Sequence, residues 1–360
     1  MTGLHPAIAR AEAFCARYGL RIPILLAPMA GACPPSLSIA VAGAGGLGAC
    51  GAVAMQPAAI RAWAREFRAG GGTFQMNLWI PEAAPVRDAA VEEAMRTFLE
   101  RFGPTVAADA GDYLRPDFTM QCAALLEAAP AAISSIMGLY PAAFVERMKS
   151  RGIPWIATVT TVSEARLAVA AGADALIAQG MEAGGHRGAF DSSRAERELI
   201  GLAALLPAVV DAVQVPVIAA GGISDPRAVA AALILGAAAV QVGTAFLRCP
   251  EAQLPSAWAD AIGATLPEQT LISRAFSGRP GRSVATAYAR AATAPGAPAP
   301  AAYPVQSGLT HAMRAHAVKA NVLDGLQAWA GQSAAQARAA PAAQVARELW
   351  EGARALLEPA

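Results

Sequence analysis

The chain carries no excess of charge of either sign. Its 360 residues include 28 Lys and Arg against 27 Asp and Glu, a formal net charge of +1, and charged residues make up only 15%. It contains no run of basic residues and no interleaving of aromatic with basic side chains, which excludes nucleic acid as the expected partner. Cysteine is scarce too. Cys15, Cys33, Cys50, Cys122 and Cys249 are odd in number, widely spaced and form no CxxC pair. Such a set describes reduced thiols and excludes a disulfide framework or a zinc site, so no metal is expected.

Long apolar runs with the marks of a membrane span are also missing, although 55% of the residues are hydrophobic. The segment from Ala228 to Phe246 carries no formal charge and has about the length of a bilayer span. Gly236, Gln241 and Gly243 interrupt it, and its second half is β-branched. It reads as a buried helix followed by a buried parallel strand. Near the N-terminus, Arg10, Arg17 and Arg21 precede a short apolar stretch broken by Pro23 and Pro28, which argues against a signal peptide. No membrane partner and a cytoplasmic location are therefore expected.

What the sequence has in abundance is one pattern. A short apolar run is followed by Gly or Pro and then by an Ala-rich helical stretch, many times over. Strands alternating with helices imply parallel strands joined by right-handed crossovers. Near-continuous apolar strands imply burial on both faces. The candidate strands are 24–28, 47–53, 73–79, 132–138, 155–160, 174–179, 215–220 and 238–243. That count is the count of an α/β TIM (β/α)8 barrel. Residues 81–130 are too long for one loop and one helix, and they read as a helical excursion inserted after strand three, over the barrel mouth. Residues 1–290 are thus expected to form the barrel. Residues 291–360 are expected to form a C-terminal helical extension packed on it. In that extension 291–304 is an Ala/Pro-rich linker, and 310–330 and 339–357 are helical.

The segments that carry chemistry fall at the strand ends. Ala178-Gln179-Gly180-Met181-Glu182-Ala183-Gly184-Gly185-His186-Arg187-Gly188 begins at the end of strand six, on the face where barrel active sites sit. Its glycines let a backbone approach a flat ligand, and a histidine there can exchange protons near neutral pH. His186 is therefore the candidate base, weighed against a Gly-rich turn whose histidine merely caps the next helix. Arg187 beside it is the competing candidate for binding an anion. After strands seven and eight come Gly221-Gly222-Ile223 and Gln241-Val242-Gly243-Thr244, the pair of loops that often holds a phosphate in this fold. Asp225-Pro226 between them reads as a helix start. In strand three Gln75 and Asn77 alternate with apolar neighbours and face one side. Strand one ends Ala27-Pro28-Met29-Ala30-Gly31, where small residues permit close approach to a ring. The glycines of 43–48 precede strand two, so they do not form a dinucleotide loop.

Together these motifs resemble the nitronate monooxygenases, formerly called 2-nitropropane dioxygenases. Phe276-Ser277-Gly278-Arg279 and Trp329-Ala330-Gly331-Gln332 extend the resemblance, which covers nearly the whole chain. It implies FMN as cofactor, molecular oxygen and a nitronate or nitroalkane as substrates, and a carbonyl compound and nitrite as products. By matching position it implies FMN contacts from Met29, Asn77, Gln179, Gly184, Gly221, Gly222, Gln241, Val242, Gly243 and Thr244, with His186 catalytic. A homodimer is a further expectation. One position departs: relatives often carry a second histidine at the end of strand four, where this chain has Ile136 before Met137-Gly138. The mouth is more apolar for it. The rival enzyme reading is an FMN-dependent NAD(P)H reductase of quinones or enoyl thioesters. An inosine-monophosphate-dehydrogenase-like barrel would need a cysteine nucleophile beyond strand six, and none lies between Cys122 and Cys249. The rival outside enzymes is a flavin-binding regulatory barrel.

Overall fold

Eight short strands surround the axis of a computed structural model that describes residues 4–358. They are β1 (Ile24–Leu26), β2 (Gly48–Gly51), β3 (Phe74–Trp79), β4 (Ala132–Ile136), β5 (Trp155–Val159), β6 (Ala175–Gln179), β8 (Val217–Ala220) and β9 (Ala239–Val242), with β7 (Gly185–His186) outside the ring. All barrel pairs are parallel, in the order β1-β9-β8-β6-β5-β4-β3-β2. The ring closes where the Leu26 N–H donates to Leu47 O at 2.9 Å and the Leu47 N–H donates to Ile24 O at 3.1 Å. Each barrel strand lies inside one of the eight expected ranges. The fold is a TIM barrel.

The barrel interior changes character along its axis. At the N-terminal end Leu25, Leu47, Ile156, Ile177, Ile218 and Ala239 are buried together, and Phe14 and Tyr18 of the helix Pro6–Tyr18 plug the floor. At the C-terminal end the same alternation puts amides and a hydroxyl inside: Gln75, Asn77, Ser134, Gln179 and Gln241, all buried. A second core joins the helix Ala89–Leu99 to the C-terminal half of the chain, where Met95, Phe98 and Leu99 pack with Phe276, Tyr288 and Met313. Asp88 starts that helix by accepting the Ala90 and Val91 N–H groups, and Asp117 starts Phe118–Ala128 by accepting the Met120 N–H. The latter helix packs on Pro57–Gly70 as an ordinary crossover.

After β9 the pattern changes, and here two expectations are corrected. A helix over 310–330 was expected, but the helix His311–Ala320 stops at Asn321, which adopts the left-handed region at φ 52°. Residues beyond it are drawn out as extended chain by a neighbour: the Val284 N–H donates to Ala328 O at 2.8 Å, and Trp329 bridges Ser283. The linker expected over 291–304 begins instead as the end of the helix Ala287–Thr293, capped by the Thr286 hydroxyl. The helix Ala342–Leu357 packs on Pro226–Ile234, whose start is capped by Asp225. β10 (Thr270–Ser273) and β11 (Gly281–Val284) form an antiparallel pair that was not foreseen, and β7 joins it. Among the described residues no helix is long and apolar enough to cross a membrane.

Barrel closure rests on a close approach at Gly46. A Cβ there would lie 2.4 Å from Ile24 O, the acceptor of the closing bond. Gly46→Ala is expected to destabilise by roughly 1–3 kcal/mol, the range for forced overpacking. Gly43 ends the helix Pro35–Gly43 with nothing within 4 Å of its would-be Cβ. Gly43→Ala is expected to be neutral or to stabilise by up to about 1 kcal/mol. Thermal or urea unfolding of the two variants checks the contrast; equal effects would show that closure at Gly46 is not tight.

Candidate active site

His186 is held by strand pairing. β7 pairs antiparallel with β11, placing Gly281 opposite His186 and Arg282 opposite Gly185. The Arg187 N–H donates to Pro280 O at 2.9 Å and extends the pairing. From the barrel side Gln179 clamps the same hairpin with both ends of its amide. Its Nε2 donates to His186 O at 3.1 Å, and its Oε1 accepts the Gly188 N–H at 2.8 Å. Arg187 is buried, and its Nη1 donates to Gln179 O at 2.7 Å. It ties the loop to β6, while its Nε is buried without a partner.

The imidazole sits among aromatic rings. Trp79 meets it edge-on with centroids 4.6 Å apart, and Trp329 does so at 4.7 Å. Its Nε2 lies 2.6 Å from Ser277 Oγ. That oxygen also accepts the Arg279 N–H at 3.2 Å. The Nδ1 nitrogen has no hydrogen-bond partner among the described residues. Burial, then the nearby cations Arg279, Arg115 and Arg314, push the His186 pKa down to about 3. At neutral pH the ring is therefore an uncharged proton acceptor.

Beneath it lies the polar layer of the barrel. Gln75 Nε2 donates to Gln241 Oε1 at 3.1 Å and to Leu26 O at 3.3 Å, and Asn77 Nδ2 donates to Ser134 Oγ at 3.1 Å. Gln75 Oε1 is buried without a partner. A buried acceptor left open is costly, and a ligand that donates hydrogen bonds from a flat edge relieves it. To one side, a cavity of about 540 Å³ is lined by Gly222, Glu182, Asp225, Gln332 and Ser333 among others. That is within the usual range for small-molecule sites, roughly 300–1,000 Å³. Gly221 and Gly222 have φ of +112° and +69°, conformations that favour glycine and permit close approach of a ligand to the backbone. The Glu182 and Asp225 carboxylates beside the cavity are already engaged, by the Leu202 N–H and by the Ala228 N–H with Arg227. A flat ring that donates hydrogen bonds suits the orphaned acceptor and the polar floor, and the Gly221-Gly222 backbone admits close approach of a phosphate group.

The structure brings most of the sequence-predicted residues to one end of the barrel. Met29 reaches the Gly243 loop, where a Cβ would lie 3.3 Å from its Sδ. Val242 packs outward into the core between sheet and helices, so only its backbone is available to a ligand. Thr244 Oγ1 accepts the Gly331 N–H at 3.0 Å, which leaves its own hydrogen to donate. Gly184 is glycine for a reason not foreseen: a Cβ would lie 2.5 Å from Gly331 N, so the C-terminal segment lies directly on it. Ile136 pairs with Trp79 across β3 and β4 at the mouth. Sequence reasoning missed Trp79, Ser277, Trp329, Tyr303, Arg115 and Arg279 as surroundings of His186. Of these, only Ser277, Arg279 and Trp329 lie in segments that stood out as motifs, and nothing local signalled what they touch.

With this geometry in place, comparison with known proteins is informative. The family model described as Nitronate monooxygenase matches residues 15–352. A nitronate monooxygenase of Paraburkholderia phytofirmans is 40% identical over 339 residues, covering 92% of each chain. One from Pseudomonas aeruginosa is 38% identical, covering 95% of this chain and 99% of that one. Among solved structures, a nitroalkane oxidase from Streptomyces ansochromogenes superposes with a TM-score of 0.86 at 36% identity, covering 96% of this chain and 100% of that one. FabK from Thermotoga maritima gives a TM-score of 0.74 at 26% identity, covering 96% of each chain.

The lowered pKa of His186 carries a stability consequence with a definite sign. In the unfolded chain a histidine titrates near 6.5. Between that value and about 3 the unfolded state therefore binds one proton more than the folded state. Stability from this group is present above pH 6.5 and declines as pH falls through the window. Relative to His186→Gln, the unfolding free energy of the unaltered protein is expected to fall by at most about 1.4 kcal/mol per pH unit below 6.5. Urea unfolding of both proteins from pH 7.5 to 4.5 measures it. A difference independent of pH would mean that the ring titrates in the fold as it does in the unfolded chain.

Proposed function

The chain belongs to the nitronate monooxygenase family, and from that premise we propose that it oxidises alkyl nitronates with FMN and molecular oxygen, giving a carbonyl compound and nitrite. Membership makes it a flavin-dependent oxidoreductase. The observation that carries the finer reading is an uncharged imidazole with an unengaged Nδ1, held at the barrel mouth above a polar floor with an open acceptor.

Gly221-Gly222 and Gly243-Thr244 would hold the phosphate of FMN, and Asn77, Gln241 and Met29 would hold its ring. When bound, it takes electrons from the nitronate and passes them to oxygen. The chain's own residues do the rest. In the tautomer this reading requires, Ser277 Oγ accepts the Nε2–H of His186 as it accepts the N–H of Arg279, and its own hydrogen has Arg279 O as an acceptor 3.4 Å away. That arrangement leaves the lone pair of His186 on Nδ1, where it takes the α-proton of a nitroalkane that has not yet ionised. Trp79 and Trp329 pack edge-on against the ring and reduce its contact with water. Gln179 and Gly184 act on the loop, one by clamping it and the other by letting the C-terminal segment close on it.

General base catalysis is typically worth about 10²–10⁴-fold. In His186→Asn, kcat/KM for a neutral nitroalkane is expected to fall by at least about a hundredfold, and that for the pre-formed nitronate by much less. Steady-state oxygen consumption with both forms, at equal FMN content, measures this. A fall of less than about tenfold with the nitroalkane would remove His186 as the base.

The phosphate placement has its own test. Gly222→Asp and Gly222→Asn introduce side chains of nearly equal size, and both residue types tolerate the left-handed backbone better than others. They differ in charge. The Asp variant is expected to purify without flavin and the Asn variant to retain a substantial fraction, read from the visible spectrum and from the flavin released on denaturation. Equal retention would place the phosphate elsewhere, and FAD in the released material would refute FMN.

A further inference from the structure

Three arginines act electrostatically on His186, and they are not equivalent. Arg279 is buried, its side chain 2% exposed, and it pairs with Glu82 at 3.0 Å. Arg314 also makes no ion pair among the described residues, but all three of its guanidinium nitrogens are engaged, donating to Thr310 Oγ1, Gln327 Oε1 and Ser307 O. Both are structural. Arg115 is different. It is half-buried, on the segment between the helices Ala89–Leu99 and Phe118–Ala128. Its hydrogen-bond partners are neutral: Nη1 donates to Tyr303 Oη, and Nη2 donates to Val53 O at 3.3 Å. Among the described residues it makes no ion pair. Its guanidinium lies over the rings of Trp79 and Tyr303, at 5.5 and 5.2 Å from their centroids. Trp79 is the ring that abuts His186.

A cation without a counter-charge, resting on the aromatic wall of the site and reachable from solvent, is a feature in need of an anion. A guanidinium presents parallel donors in one plane, which match the two coplanar oxygens of a carboxylate. A nitro or nitronate group offers the same pair of oxygens, and only the nitronate carries a full negative charge. On meeting it, Arg115 exchanges two neutral acceptors for a charged one, and charge-assisted hydrogen bonds are about twice as strong. The neighbouring Tyr303 Oη keeps the side chain poised over Trp79 until then.

We propose that Arg115 is the substrate-anion ligand of this site and sets its preference for ionised nitronates over neutral nitroalkanes. The inference rests on the nitronate reading given above and adds to it a specificity residue on the segment between β3 and β4. His186 and Arg115 then divide the work. One removes a proton where a proton is present, and the other holds the charge once it has gone.

The experiment compares Arg115→Gln, which removes the charge, Arg115→Lys, which keeps it, and Tyr303→Phe, which removes the neutral acceptor and leaves Arg115 charged. Each is prepared as the FMN-loaded protein. KM is measured for butyl-1-nitronate and for neutral 1-nitrobutane. Binding of butyrate, an unreactive anion with the same paired oxygens, is measured separately by quenching of tryptophan fluorescence. Arg115→Gln is expected to raise KM for the nitronate and Kd for butyrate by roughly ten- to a hundredfold, the range for a hydrogen bond to a charged group. KM for 1-nitrobutane is expected to stay within about twofold. Arg115→Lys, which keeps the charge and loses the paired donors, should recover part of the anion binding, and Tyr303→Phe should keep the ratio of anion to neutral binding. If Arg115→Gln weakens both forms alike, or if Arg115→Lys is as damaging as Arg115→Gln, Arg115 is a structural tie and the proposal falls. Should no nitronate be turned over while butyrate binding still depends on the charge at position 115, the reaction reading fails and the anion site stands.

Discussion

The pairing of two residues, Gly185 and His186, with β11 is the constraint on which the site depends. A glycine-rich loop at the end of a barrel strand has many conformations and loses much entropy on ordering. Here main-chain hydrogen bonds to a second sheet remove that freedom, while Gln179 holds the other side of the loop. The imidazole is thereby fixed by backbone at two edges. The arrangement also makes the C-terminal part of the chain indispensable to a site whose histidine lies near the middle of the sequence. β11, Ser277 and Trp329 all come from beyond the last barrel strand.

Electrostatics follow from that placement. Two tryptophans and the paired strands partly bury His186, and three arginines lie around it with one carboxylate, Glu82, paired among them. Desolvation and positive charge both oppose protonation of the ring. The same positive charge suits an anionic substrate. In the proposed function, a histidine kept neutral by burial and by cations acts as base on a substrate that becomes an anion, and the positive charge that helps to suppress protonation of the ring also stabilises the product of the proton transfer.

The barrel supplies the contrast between floor and mouth. Its N-terminal half is sealed with Leu, Ile and Phe, and its C-terminal half carries Gln75, Asn77, Ser134, Gln179 and Gln241. Period-two alternation sends these amides inward, and their mutual hydrogen bonds satisfy most but not all of their polar atoms. A fully apolar barrel core would be more stable. Keeping an open acceptor on the axis is the kind of local violation expected at a functional site.

Much of this was legible in the sequence. The repeat of apolar run, glycine and Ala-rich helix depends only on near neighbours and on burial of strands on both faces, so the number and ranges of the barrel strands followed from it. His186, the glycine pairs at 221–222 and 243, and the inward amides of strand three followed from strand ends and alternation, which are also local. The reason Gly184 must be glycine was not legible, because the backbone it admits, at Gly331, is far away in the chain. Nor was the break in the helix expected over 310–330: helical propensity there is ordinary, and the extended course of Ala328 and Trp329 is imposed by β11. The partners of His186 came together only in three dimensions. Trp79, Arg115, Ser277, Arg279, Tyr303 and Trp329 belong to separate segments, and no sequence period links them. The sequence by itself determined the barrel and the position of the histidine, since both rest on short-range pattern. The charge state of that histidine was decided by the tertiary structure alone, because desolvation and Coulomb interactions depend on distances that only the folded chain defines.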